Sequence, residues 1–172
     1  MSALWRPAYV AIGSNLDEPE QRVREAFERI GQLPQTRLEA RSRLYLSEPL
    51  GPQDQPHFVN AAAGVLTLRS ARELLDSLLA IERTMGRIRG ERWGPRVIDL
   101  DLIWMVGDPI AEAGLRVPHP AVSERNFVLY PLSDIAPSMK IPGVGRIADL
   151  MMRIGAHGLS VLPELEGTRV QS

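Results

Sequence analysis

No cysteine occurs anywhere in the 172 residues. Disulfides, thiolate metal sites and cysteine nucleophiles are thereby excluded, which fits a cytoplasmic protein. Lysine is almost missing as well: of 20 basic residues, only Lys140 is not an arginine, a bias of base composition rather than of function. The aromatic residues number nine, three each of Phe, Trp and Tyr. A net charge of −1 gives no overall field to draw the chain to nucleic acid or a membrane, so any basic patch must be local. No apolar run approaches a membrane span, and Met1-Ser-Ala-Leu-Trp-Arg-Pro7 lacks the basic and apolar regions of a secretion signal. The expectation is a soluble, unexported protein.

What remains is ordinary for a folded chain, with 44% hydrophobic and 24% charged residues. The length suits one well-buried core and is short for two. A single domain over 1–172 is expected, with a core at about 8–155 and a frayed tail at about 160–172.

Residues 8 to 13 read as a buried strand ended by Gly13-Ser14-Asn15. Asp17 and Glu20 match a capping box, and Val23, Ala26, Phe27 and Ile30 recur at helical spacing until Gly31. From Thr36 to Ser47 one strand is expected, with Leu38, Ala40, Ser42, Leu44 and Leu46 on one face. A Pro- and Gly-rich loop follows, then a strand from Phe58 to Thr67. Ser70 and Glu73 form a second capping box, before a helix whose buried stripe is Ala71, Leu74, Leu75, Leu78, Ile81 and Met85. An arginine-rich loop at 86–95 leads to a strand from Val97 to Met105. The order β-α-β-β-α-β predicts an α+β, ferredoxin-like core, an antiparallel sheet with two helices on one face. A C-terminal helical extension follows, with a short extended piece near 115–117, a Pro118-His119-Pro120 turn, and helices near 123–135 and 146–155.

The last strand of that core carries the chemistry. Alternation puts Asp99 and Asp101 on one side and Ile98, Leu100 and Leu102 on the other. Two carboxylates about 7 Å apart can grip hard cations, and Mg²⁺ is the ion usually held by one or two carboxylates plus phosphates. Just upstream, Arg83, Arg87, Arg89, Arg92 and Arg96 fall within 14 residues, opposed only by Glu91. Arginine suits forked phosphate contacts. Either feature alone is more often a solvated surface. Together, on a strand whose other face is apolar, they point to nucleotide-dependent phosphoryl transfer, because like charges on one face repel unless cations neutralise them.

The segment Arg92-Trp-Gly-Pro-Arg-Val-Ile-Asp-Leu-Asp-Leu102 closely resembles the signature of the 6-hydroxymethyl-7,8-dihydropterin pyrophosphokinase family of folate biosynthesis. Four more stretches agree in order. They are Tyr9 to Leu16, Pro49 to Pro56 with Asn60-Ala-Ala62, Ile81-Glu82 before Gly86-Arg87, and Val117 to Pro120 followed by Arg125 and Phe127 to Leu129. The resemblance implies transfer of pyrophosphate from ATP to the pterin hydroxymethyl oxygen, with release of AMP. It implies Asp99 and Asp101 as ligands of two Mg²⁺ ions, and Arg87, Arg89, Arg92 and Arg96 at the phosphates, Arg87 and Arg96 counting as catalytic. Glu82, Trp93, Leu115, Arg116, His119 and Arg125 would complete the ATP site. The pterin would stack on Phe58 and Phe127 under Trp93, with Ser47, Glu48, Leu50 and Asn60 reading its polar edge. Gly86, Gly90 and Gly94 would let the arginine loop close as a lid.

Bland alternatives stand beside these roles: a structural histidine for His119, a solvated charge for Glu82, core packing for Phe127. No further side chain offers a clear general base, so metal coordination alone can activate the substrate alcohol. In this chain the loop before Glu91 is one residue shorter than in some members, Phe58 stands for a Tyr, and Arg116 for a hydroxyl residue. An RNA-binding sheet would carry more aromatics than Tyr9-Val-Ala-Ile and Phe58-Val-Asn-Ala-Ala, and a non-catalytic sensor leaves the arginines beside Asp99 and Asp101 without a purpose. The expected partners are small molecules only, with no nucleic acid and no membrane, and the expected state is a monomer.

Overall fold

Residues 4–49, 53–87, 94–107 and 109–163 are described by the computed structural model. The first strand, β1 (Arg6–Ser14), buries Ala8, Val10 and Ile12 on one face, and α1 (Pro19–Gly31) follows. The capping box expected from Asp17 and Glu20 does not form: Asp17 and Glu18 sit at φ 53° and 62°, and no side chain caps the helix. Pro19 sets the start instead. Its ring bars the preceding residue from helical geometry, and its missing N–H costs nothing in the first turn.

The single strand expected at 36–47 is two, β2 (Thr36–Arg41) and β3 (Tyr45–Ser47). Ser42 makes the break. Its N–H donates to Ala62 O at 2.9 Å, while its hydroxyl oxygen accepts from Ala62 N at 2.8 Å, taking the place of a backbone carbonyl. Next, β4 (Phe58–Thr67) pairs with β2 through its C-terminal half and with β3 through Phe58–Asn60. The helix α2 (Ala71–Thr84) opens on the expected reciprocal cap between Ser70 and Glu73. The following strand, β5 (Asp99–Met105), begins two residues later than expected. Its approach is tied to the end of β1 by side chains and one backbone bond: Ser14 Oγ donates to Val97 O at 2.5 Å, Asn15 Oδ1 accepts from Arg96 N at 2.8 Å, and Asn15 N–H donates to Arg96 O at 3.0 Å.

Beyond the core come the hairpin β6 (Ile110–Glu112) and β7 (Leu115–Val117), a cis Val117–Pro118 peptide, a 3₁₀ turn at Val122–Glu124, and α3 (Asn126–Ile135). A two-residue ladder of β8 (Lys140–Ile141) and β9 (Gly145–Arg146) precedes α4 (Ile147–Ile154). The first residues of the tail expected at about 160–172 lie in β10 (Leu159–Val161), which pairs antiparallel with β3, and residues 164–172 of that tail lie outside the described residues.

The main sheet runs β10-β3-β4-β1-β5, with β2 also on β4, and all its pairings are antiparallel. Register puts Ile12 beside Ala61 and Leu100, and Val10 beside Ala63 and Leu102. These side chains meet Val23, Phe27 and Ile30 of α1 and Leu74, Leu78 and Ile81 of α2 in one core. The other face is covered only in part, by α3, whose Ile135 seats over Gly64 beside Tyr9. Asp134 fastens the end of that helix, accepting from Tyr45 Oη at 2.9 Å and from Arg43 Nη2 at 2.9 Å. The uncovered remainder of this face is where the cavity lies.

Candidate active site

Two rows of paired residues cross the uncovered face. One is Asn60–Gly13–Asp99 and the next is Ala62–Ala11–Asp101, so both carboxylates project on the face away from the α1–α2 core. A cavity of about 380 Å³ opens there, within the range of small-molecule sites. It is lined by Asp99, Asp101, Arg87, Arg96, Glu82, His119 and Arg125 at one end. Ser47, Glu48, Phe58, Asn60 and Phe127 line it as well. The expected residues thus converge from β3, β4, α2, β5 and the start of α3.

Asp99 is clasped from both sides, Arg87 Nη1 donating to Oδ1 at 3.1 Å and Arg96 Nη1 to Oδ2 at 3.0 Å. Arg87 also pairs with Glu82. Glu82 is not the solvated charge of the bland reading, being only 3% exposed, and its Oε1 accepts from Leu100 N at 2.8 Å. Burial raises its carboxyl above the ordinary value. It therefore braces the helix end, Arg87 and the strand edge at once.

Asp101 has a different environment. Among the described residues its carboxylate makes no hydrogen bond or ion pair, while its backbone lies in the β1–β5 ladder opposite Ala11. Burial, and then the Asp99 charge beside it, push its carboxyl up to about 7. A buried carboxylate next to a second one, offset only at a distance by the Arg125 and Arg96 charges, is a donor set that fits a hard cation with few protein ligands.

His119 is fixed by its backbone N–H, which donates to Ile103 O at 2.8 Å, and by Nδ1, which accepts from Ala121 N at 3.2 Å. With Nδ1 used as an acceptor, the neutral ring carries its proton on Nε2. Burial and the Arg125 charge lower its pKa below the ordinary value and keep it neutral. Asn60 is 5% exposed and donates through Nδ2 to Ser47 Oγ at 2.5 Å, leaving Oδ1 toward Gly13. Phe127 touches both core and cavity, with the Arg125 guanidinium 6.0 Å from its ring centre, whereas Phe58 faces the cavity without joining the core.

Leu115 is buried in the core and Arg116 is exposed on its hairpin; neither side chain lines the cavity. Leu50, and Arg89, Arg92 and Trp93 with the middle of the expected lid (88–93), lie outside the described residues. The cavity also uses Ala11, Gly13 and Leu79, which pattern reading passed over, and Leu75, which it put in the buried stripe of α2 but which is half-buried and faces the cavity. Asn15 was missed too. It is buried and joins Arg96 to Gln55 Oε1 at 3.0 Å and Pro56 O at 2.9 Å. The one available signal was the Gly13-Ser14-Asn15 run, since a glycine inside a strand marks close approach by backbone or ligand.

The family described as 7,8-dihydro-6-hydroxymethylpterin-pyrophosphokinase (HPPK) matches residues 9–137. This chain belongs to that family. It is 45% identical over 156 residues to the 2-amino-4-hydroxy-6-hydroxymethyldihydropteridine pyrophosphokinase of Pseudomonas aeruginosa, covering 90% of this chain and 96% of that protein. The Haemophilus influenzae HPPK of the same name is 41% identical over 150 residues, covering 87% of this chain and 94% of its own. Among solved structures, the Plasmodium falciparum HPPK-DHPS with pteroate superposes with a TM-score of 0.72 at 13% identity. That match covers 89% of this chain but 43% of the longer one, and at such identity it speaks for the fold alone.

Proposed function

We propose that this chain transfers the pyrophosphoryl group of ATP to 6-hydroxymethyl-7,8-dihydropterin, a step of folate biosynthesis. The hydroxymethyl oxygen attacks the β-phosphorus and the bond from that phosphorus to the α–β bridging oxygen breaks. AMP departs, the hydroxyl proton passes to solvent, and the dihydropterin diphosphate remains. The observation that carries this reading is the convergence on one cavity of a paired carboxylate strand, three arginines and a polar-aromatic slot.

Asp99 and Asp101 are the groups that would hold Mg²⁺, two ions in the reading by family. Bound there, the metal would neutralise phosphate charge and lower the pKa of a coordinated hydroxyl. Every other contribution comes from the chain. Arg87, Arg96 and Arg125 bind phosphate oxygens, with Arg89 and Arg92 from the adjoining loop. His119 offers Nε2–H as a neutral donor, so it orients without competing for the metal. Glu82 fixes Arg87 and Trp93 attends the nucleotide; Leu115 and Arg116, whose side chains do not line the cavity, would reach it only through backbone groups of their hairpin. Phe58 and Phe127 grip the flat ring, while Asn60, Ser47 and the backbone of Glu48 and Leu50 read its edge. Catalysis of this kind rests on positioning and electrostatics, with no covalent intermediate on the protein.

The strand order β5-β1-β4 followed by β2 and β3 supports a ferredoxin-like frame carrying a C-terminal extension. We read the whole as one domain, a cytoplasmic monomer acting on small molecules and on neither nucleic acid nor membranes. Among the described residues no helix is long and apolar enough to cross a membrane.

Incubation with Mg²⁺, ATP and the hydroxymethyldihydropterin should yield AMP. ADP in its place would make the chain an ordinary kinase, and no nucleotide turnover would overturn the reading.

A further inference from the structure

Gly13 is a residue whose identity the backbone does not require. It lies inside a central strand, and its φ is not among the positive values found at other glycines of this chain. A glycine in such a place weakens a strand, lacking a side chain to pack and having more freedom to lose. Something other than backbone geometry therefore bears on the position.

The neighbours identify it. Gly13 pairs with Asn60 on one side and Asp99 on the other, so it sits midway between the amide and the carboxylate clasped by arginines. A Cβ built there would meet only cavity walls, Asn60 Oδ1 at 3.2 Å and Phe58 Cδ1 at 4.0 Å. Gly64, on the same face, is the contrast. A Cβ there would meet Ala40, Ile135 and Tyr9 at 3.5–3.6 Å, so that position serves the seating of α3. No helix covers Gly13; the cavity does. Neighbouring strands are about 4.8 Å apart, which puts Asn60 and Asp99 roughly 10 Å from each other, about the span of a two-ring heterocycle with a one-carbon arm.

We propose that Gly13 is a specificity-determining residue: its bare backbone lets the edge of a flat bicyclic substrate, held between Phe58 and Phe127, come down onto the sheet, with its polar groups toward Asn60 and its reactive arm toward Asp99. This rests on the functional reading above. Any side chain at 13 would lift the ring from the sheet and displace the Asn60 amide, while leaving the nucleotide end untouched.

The test compares Gly13→Ala with wild type and with Gly64→Ala, measuring thermal unfolding and the affinities for the hydroxymethyldihydropterin and for Mg²⁺ with a non-hydrolysable ATP analogue. Gly13→Ala should melt cooperatively and lose about tenfold or more in pterin affinity, the scale of overpacking a tight site, with nucleotide affinity within about twofold. Gly64→Ala should keep both affinities within about twofold. Unchanged pterin affinity in Gly13→Ala, or equal loss for both ligands, would overturn the proposal, and so would a variant that no longer melts cooperatively. If wild type makes AMP while Gly13→Ala binds pterin normally, the inference alone falls. If wild type makes no AMP, both fall.

Discussion

Asp101 and Asp99 are two residues apart, and their surroundings assign them different work. Asp99 already holds two guanidinium groups, whereas Asp101 titrates at about 7 because burial and its neighbour disfavour the charged form. A raised carboxyl is protonated below that value in the metal-free protein, and a divalent cation needs it ionised. Affinity for Mg²⁺ with nucleotide should therefore fall as pH drops through about 7. Titration calorimetry in buffers of different ionisation enthalpy should detect a proton released at about pH 6 and little at about pH 8.5. Equal release at both would contradict this account of Asp101. By the same sign, Asp101 makes the empty fold more stable as pH falls from about 7 towards 3.8, a trend that Asp101→Asn should remove. Glu82 tests the brace. Glu82→Ala strips the acceptor from Leu100 N–H and one partner from Arg87, and should cost about 3 kcal/mol in urea unfolding. Glu82→Gln keeps the Leu100 contact and should cost less.

Among elements, β1, β4, β5 and α2 were legible because each carries a long, consistent period and clear punctuation. The carboxylate face of β5 followed from alternation alone. What could not be read depends on partners distant in sequence. Nothing local marks the break at Ser42, which exists because a hydroxyl exchanges hydrogen bonds with Ala62 across the sheet. The motif at Asp17 and Glu20 looked like the one at Ser70 and Glu73, yet Pro19 overrode it. The two make a paired prediction. Ser70→Ala should destabilise the protein by about 1 kcal/mol, the usual value of a capping side chain, as followed by chemical denaturation. Glu20→Ala, which loses only an exposed pair with Arg24, should cost less than about 0.5 kcal/mol. Equal effects would mean that α1 is capped by side chains after all. The places of Gly13, Leu75 and Leu79 in the cavity wall stayed hidden for a related reason: only register and helix placement bring them there.

For the molecule as a whole, the cavity and the fold are one thermodynamic system, because its walls come from segments as far apart in the chain as Ala11 and Val128. A ligand that binds only the folded form stabilises it by about 2.7 kcal/mol at a hundredfold excess over its dissociation constant. Mg²⁺ with nucleotide should raise the melting temperature accordingly. Nucleotide without a divalent cation should raise it much less, and Asp101→Asn should lose most of the difference, as read by calorimetric melting. One feature of the sheet has a bearing on behaviour in concentrated solution. At one margin, Leu100 N–H is occupied by Glu82 and Ile103 O by the His119 backbone, so β5 offers little to a stranger. The opposite margin ends in the three-residue β10 and in β2, which is bulged near Glu39 and bristles with exposed Arg37, Glu39 and Arg41. Short, kinked and charged rims are poor templates for adding another chain. The protein should stay dispersed where a flat, open-edged sheet would seed aggregates.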